Sequence, residues 1–464
     1  MTSKRAGRFP KRGNGKLRRE GVLRILQMPE AEIAVIIYTT LYRKGGHQFP
    51  IVAKTLADEK RESGFDGEIV CEAVESKSDV LKILAEAKAA GKQIEEFHFV
   101  GHSGMYGPMF ATVAFPEQFS PYEWEQMDIP FAENASAYFH CCRSARWFAP
   151  FFARTFNVKA HGFFWYTTFS KSKEKYQNAG SNGNGSKLYT IGCKGRKSHG
   201  YLASVQKRLG FMPAEEMKSF EPQPPSGDTS YDHVAELYDA AFSDIRVRQD
   251  EWKWLNDHLP AGELDVLDIG CGNGALLNAL SDKINSGVGV DESAAILQRA
   301  QTRNSEISNL KFEIIKGPVL PFENNSFDVV ISLMSFRYLD WDPLLQEIKR
   351  VTKPGGKFLI IDMVTVPVKA SEYPRLLSDK FRTVFEQRRN AGFNANLQKL
   401  VSHPDWKKML EYNPIRSEHE MKWYLESRFP GHKTEILNMA LNSRIVAFDS
   451  GPVENGVEAR LSYP

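Results

Sequence analysis

Leu264-Asp-Val-Leu-Asp-Ile-Gly-Cys-Gly-Asn-Gly274, running straight into Ala275-Leu-Leu-Asn-Ala-Leu280, is the stretch whose reading decides the fold. Leu264 to Ile269 is a short apolar run of buried-strand length, and ALLNAL reads as the helix that follows it. Between them, Gly270, Gly272 and Gly274 let the backbone turn sharply and approach a ligand closely. In doubly wound α/β sheets this is the edge where nucleotides bind, outside the carboxyl ends of the strands. The next strand, Gly287 to Val290, ends in Asp291, 23 residues after Asp268. A carboxylate there can take both hydroxyls of a ribose. A dinucleotide fingerprint would need GxGxxG, whereas here the third glycine comes one residue early and Asp268 precedes the first by two.

Other segments follow in a fixed order. YDHVAELYD occupies Tyr231 to Asp239, LPFENNSFDVVIS Leu320 to Ser332, and LLQEIKRVTKPGGKFLIIDM Leu344 to Met363. With VLDIGCGNG and GVGVDES, this set resembles the class I S-adenosylmethionine-dependent methyltransferases over about Tyr231 to Ser450. The resemblance implies a Rossmann-like fold with S-adenosyl-L-methionine as cofactor, held by Tyr231, Asp268, Gly270, Cys271, Gly272, Asp291, Glu292, Val319 and Ser332. It further implies a closing antiparallel hairpin near Thr434 to Phe448. Residues 366 to 430 would be a helical insertion that, with the helix carrying Tyr231 and Tyr238, caps the pocket and selects the acceptor. Pro354-Gly-Gly356 reads as a turn, and Phe336, Tyr338 and Trp341 either face the sulfonium or pack. One departure stands out. Where the family usually has an acid to accept from the adenine amine, this chain has Gly317-Pro318-Val319, so adenine recognition would fall to backbone groups around Val319.

The chain has 464 residues, more than a single core normally spans, so two domains are expected. A net charge of +3 gives no argument for a nucleic-acid partner beyond the arm Lys4 to Arg19, which holds eight Lys or Arg and no acid. No apolar run has the length of a membrane span and no signal-peptide core follows the N-terminus, so the expected location is cytoplasmic. Five cysteines without CxxC spacing fit reduced thiols better than a disulfide or metal framework, and no metal is expected.

The N-terminal half alternates strands and helices. Strands are expected at Ile33 to Tyr38, Glu68 to Ala73, Phe97 to Val100, Ala137 to Cys141 and Val158 to Trp165. Helices are expected near Ile51 to Glu62, Ser78 to Ala90 with Ser78 as N-cap, and Arg146 to Phe156. This is a second, mostly parallel α/β domain. The strand EEFHFV ends in Gly101-His102-Ser103-Gly104, and ASAYFH ends in Cys141-Cys142-Arg143-Ser144. A His and a Cys at the ends of neighbouring parallel strands can form a nucleophile and its base. The arrangement resembles the caspase-like cysteine peptidases over about Ile33 to Trp165, which implies a caspase-like α/β sandwich with His102 and Cys142 as catalytic pair. Both cysteines as core residues, or the fold kept as a binding module, are the other readings. Val100 to Gly104 has most of a serine-hydrolase elbow, but Met105 and Pro108 do not begin the helix that elbow needs.

The domain plan is therefore a basic disordered arm over 1–30, a caspase-like domain over 31–170, an irregular extension and linker over 171–229, a methyltransferase domain over 230–450 and a tail over 451–464. Loop-forming runs at Asn178 to Ser186 and Pro222 to Ser230 support that linker, with a short helix near Gly200 to Leu209 between them. The function expected is methylation of an unidentified small-molecule or peptide acceptor. The alternative is a peptidase or a signalling or defence protein in which the methyltransferase fold is a sensor or scaffold.

Overall fold

The computed structural model describes residues 31–40, 46–111, 116–170, 189–193, 214–223, 231–366, 368–413 and 415–453. The basic arm, the run Asn178 to Ser186, the helix near Gly200 to Leu209 and most of the linker lie outside them, as do residues 454–464.

The N-terminal domain comprises β1 (Glu32–Thr39), α1 (Phe49–Glu62), β2 (Glu68–Val74), α2 (Lys77–Ala89), β3 (Gln93–Val100), the short strands β4 (His102–Gly104), β5 (Gly107–Ala111) and β6 (Pro116–Glu117), and α3 (Pro121–Glu125). Next come β7 (Phe131–His140), α4 (Phe148–Phe156), β8 (Lys159–Gly162), β9 (Tyr166–Ser170), β10 (Tyr189–Cys193), β11 (Ala214–Glu215) and β12 (Lys218–Phe220). The main sheet runs β12-β8-β7-β3-β1-β2 and is parallel except for β12. Both faces are covered. Phe97, Phe99 and Phe139 pack with Phe148 and Phe152 of α4 and with α2 on one side, while Ile36 and Val100 pack under Phe49 and Val52 of α1 on the other. Two expectations need correction. Ser76, not Ser78, caps α2, because its hydroxyl accepts from the Asp79 amide while Asp79 accepts from the Ser76 amide. The described part of 171–229 is not irregular, since β10 and β11 join β9 in a small sheet and β12 closes the main one.

The C-terminal domain comprises α5 (Ala235–Ala241), α6 (Gln249–His258), β13 (Asp265–Ile269), α7 (Ala275–Leu280), β14 (Ser286–Asp291), α8 (Ala294–Arg303), β15 (Leu310–Ile314), β16 (Phe327–Leu333), α9 (Trp341–Val351) and β17 (Thr352–Thr365). The helices α10 (Tyr373–Arg389), α11 (Ala391–Ser402), α12 (Pro404–Tyr412) and α13 (Glu418–Arg428) precede β18 (Glu435–Met439) and β19 (Ser443–Pro452). The sheet order is β15-β14-β13-β16-β17-β19-β18, parallel up to β17 and antiparallel at β19 and β18. This is a Rossmann-like fold whose strand order reverses at β13, so a crevice opens between the ends of β13 and β16. Pro354-Gly-Gly356 lies within β17 and breaks its pairing with β16, with Gly355 at φ 82°.

The two domains are locked together by buried charge. Lys77, 3% exposed, reaches Glu123 Oε1 and Asp342 Oδ2, each at 2.7 Å. Asp342 also accepts from Arg428 Nη2 at 2.8 Å and from the Tyr424 hydroxyl at 3.0 Å. Burial opposes ionisation of Asp342, but Lys77 and Arg428 overcome it and hold its carboxyl below the usual range. Alongside, the Arg416 guanidinium lies between the rings of Tyr106, 4.0 Å away, and Trp341, 3.5 Å away. Removing one member of such a set strands the others out of water, a loss of about 3–5 kcal/mol.

Candidate functional site

The glycine loop is built as its residues require. Gly270, Gly272 and Gly274 all adopt left-handed φ, at 74°, 54° and 71°. At Gly270 a side chain is excluded twice over, since a Cβ would lie 2.4 Å from that of Ser335. The amides of Gly270 and Cys271 both donate to the Val290 carbonyl, at 2.8 and 3.0 Å, which ties the loop to the end of β14. Asp291, at that end, accepts from the Gly272 amide through Oδ2 and from the Ser293 amide through Oδ1, both at 2.9 Å. Asn273 anchors the loop to α5 of the same domain through Asp239 Oδ1 at 2.9 Å and the Phe242 carbonyl at 3.0 Å.

Beside this loop lies a cavity of about 430 Å³. Of the residues singled out in the sequence, Tyr231, Gly270, Asp291 and Glu292 line it, joined by Asp232, Ser293, Ile315, Gly317, Pro318, Ser335, Tyr338, Leu339, Asp340 and Asn413. Tyr231 stands against Tyr238, Tyr338 and Trp406, with ring centroids at 6.0, 6.4 and 5.8 Å.

Other implied residues sit elsewhere. Val319 is 62% exposed and outside the cavity wall, because the chain turns at Gly317, φ 68°, and presents Gly317 and Pro318 instead. Ser332 is fully buried within β16 and meets the Ser335 hydroxyl at 2.8 Å; Met334, at φ 63°, turns the chain so that Ser335 reaches the wall. Cys271 is buried behind the loop, where burial, then the charges of Asp291 and Asp268, push its thiol well up. Gly272 carries its amide to Asp291 but packs under the Tyr238 ring. Of the three aromatic residues beyond β16, Phe336 and Trp341 stack on each other in the core and Tyr338 alone lines the cavity. Asp340 and Asn413 were not among the residues singled out in the sequence, and no local signal marks them.

Four carboxylates, those of Asp232, Asp291, Glu292 and Asp340, line this cavity, so it suits a cation. Asp268, 2% exposed at the end of β13, has its Oδ1 buried without a partner. Burial, then the charge of Asp291, push its carboxyl up to about 8. Asp291 is raised by burial too, with the Ser293 and Gly272 amides pulling the other way. An orphaned acidic oxygen, a close-approach glycine and a half-satisfied carboxylate fit an amino-acid nucleoside that carries an ammonium, a sulfonium and a ribose.

In the N-terminal domain, His102 lies in β4 just past β3, and Cys142 follows β7, the strand beside it. The Ser103 hydroxyl donates to the Cys142 carbonyl, and the half-buried Cys142 thiol receives the Thr167 amide at 3.3 Å. His102 lies edge-on to Phe49, centroids 5.2 Å apart. Cys141 is fully buried, and burial pushes its thiol up to about 12.

A family profile described as a methyltransferase domain matches residues 267–360. The chain is similar to the sterol 4-C-methyltransferase strm-1 of Caenorhabditis elegans, 32% identical over 123 residues that make up 25% of this chain and 35% of that protein. It is likewise similar to the demethylmenaquinone methyltransferase of Oceanobacillus iheyensis, 32% identical over 144 residues, 28% of this chain and 59% of that protein. It thus spans between about a third and three fifths of the length of these curated relatives. A solved methyltransferase of Aquifex aeolicus is 18% identical with a TM-score of 0.33, over 48% of this chain and 99% of that one. The match to a methyltransferase domain covers residues 267–360 and supports S-adenosylmethionine as the cofactor.

The raised carboxyl of Asp268 makes the stability of the fold depend on pH. In the unfolded chain this group ionises in the ordinary carboxylate range, and in the folded one only at about 8. The stability it contributes is therefore full at acid pH and is lost as pH rises through that window. Asp268→Asn mimics the protonated form at every pH. Its stability advantage over the wild type, followed by urea unfolding without cofactor, is expected to grow from pH 4 to pH 8 and then level off. A pH-independent difference would mean that Asp268 is ionised in the folded protein.

Proposed function

We propose that this chain transfers the methyl group of S-adenosylmethionine to a small-molecule or peptide acceptor. The observation that carries the reading is the cradle at the end of β13, where three left-handed glycines meet Asp291 over a cavity of about 430 Å³. When bound there, the cofactor supplies an electrophilic methyl group on a sulfonium. Gly270 gives the close backbone approach, Asp291 and Glu292 take the ribose hydroxyls, and Asp268 accepts from the ammonium. Tyr231 and Tyr338 form an aromatic wall that orients the acceptor and keeps water out, which is most of what methyl transfer requires. A base is needed only where the acceptor must lose a proton.

Calorimetric titration of the full chain with S-adenosylhomocysteine is expected to show one-site binding. Asp291→Ala should weaken it by about tenfold or more, the value of one or two hydrogen bonds to a charged group. Gly270→Val, which needs a side chain where the φ is left-handed and Ser335 stands, should weaken it at least as much. Unchanged affinity in both variants would contradict the assignment of this pocket.

A second reading concerns the N-terminal domain alone. We infer a caspase-like site there from the strand order β2-β1-β3-β7 and from Ser103, which links the loop of His102 to that of Cys142. In it Cys142 is the nucleophile and His102 its base. Time-resolved alkylation by iodoacetamide at neutral pH, mapped by mass spectrometry, should modify Cys142 first among the five cysteines and more slowly in His102→Ala. Labelling of Cys142 that is indifferent to His102 would leave the domain a binding module.

A further inference from the structure

Asp340 precedes α9 at the position where an Asp ordinarily caps its own helix, yet its side chain makes no capping bond. Its Oδ1 instead accepts from the Tyr122 amide of the N-terminal domain, at 3.0 Å. Tyr122 belongs to α3, the same short helix that supplies Glu123 to the buried Lys77. The domain lock therefore fixes the donor that holds Asp340.

Asp340 lines the cofactor cavity together with Gly317 and Pro318, the segment that lacks an acid. Neither residue offers the adenine amine a side-chain acceptor. The Gly317 amide is already committed to Glu292 Oε1, at 3.1 Å, and proline has no N–H. The Tyr122 ring covers the same segment from outside: a Cβ added to Gly317 would lie 3.6 Å from its Cε2 and 3.7 Å from its Cδ2. One residue of the N-terminal domain thus touches both the loop without an acceptor and the nearby carboxylate that can replace it.

We propose that the N-terminal domain completes the adenine end of the cofactor pocket: Tyr122 is a positioning residue that turns Asp340 away from α9 and into the wall, where its carboxylate accepts from the exocyclic amine of adenine. A carboxylate accepts about four hydrogen bonds, so those from the Tyr122 amide and the Ser120 side chain leave it capacity. The inference rests on the methyltransferase reading above and assigns the recognition of the base within it.

The test is calorimetry on the full chain with S-adenosylhomocysteine and with S-inosylhomocysteine, which carries a carbonyl in place of the amine. The wild type should prefer the adenosyl compound by about tenfold or more, since a carboxylate repels the carbonyl oxygen. Asp340→Ser removes the carboxylate while supplying α9 with a proper cap, and should bring the two affinities to within about threefold. Tyr122→Pro, tolerated in the first turn of α3, deletes the amide donor and should lower the preference severalfold. Tyr122→Ala keeps the donor and should weaken both compounds alike, leaving their ratio intact. A preference unchanged in Asp340→Ser and Tyr122→Pro would overturn the inference while leaving the cofactor assignment standing. A wild type that binds neither compound would overturn both.

Discussion

An ammonium removed almost wholly from water must be met by carboxylates, and Lys77 meets one from each domain. Glu123 comes with α3 and Asp342 with α9, so the ion triad is also the joint of the molecule. Because Arg428 and Tyr424 gather on the same Asp342, α13 of the helical insertion is drawn into the joint. The Glu420 carboxylate, one turn earlier, accepts from the Met105 amide of the N-terminal domain at 2.6 Å. Such a cluster gives geometry more surely than net stability, since desolvation offsets much of the attraction. What it holds in place is the wall of the cavity beside the glycine loop, because Asp340 stands two residues before Asp342.

Much of the C-terminal domain was legible because its constraints are local. Three glycines at alternate positions mark a loop that must take left-handed φ, and an acid at the end of the next strand marks a residue of the cavity wall; both readings concern residues adjacent in the chain. The alternation of strands and helices likewise announced two α/β domains, because apolar period reports burial directly. Ser332 and Val319 were misplaced for the converse reason. Which residue after a strand faces a cavity depends on one or two backbone turns, and here Met334 and Gly317 take left-handed conformations that shift the exposed position.

The interdomain contacts were illegible in a stronger sense. Lys77 finds its partner Asp342 265 residues away in the chain, beyond the reach of any local pattern. Asp340 stands at the cap position of α9 but accepts from the Tyr122 amide instead. Both cases follow from tertiary contact overriding a sound local preference, and both lie where the two domains meet, the place where ligand sites commonly form. The N-terminal domain therefore bears on the wall of the cavity beside the glycine loop.

The central claim is that one cofactor pocket, in the C-terminal domain, is walled in part by the N-terminal one. Hydrogen–deuterium exchange of the full chain with and without S-adenosylhomocysteine tests it most directly. The account predicts slowed exchange in the loop Gly270 to Gly274, in Asp291 to Ser293 and, across the domain boundary, in the segment containing Tyr122. Protection absent from the glycine loop, or confined to the N-terminal domain, would contradict it.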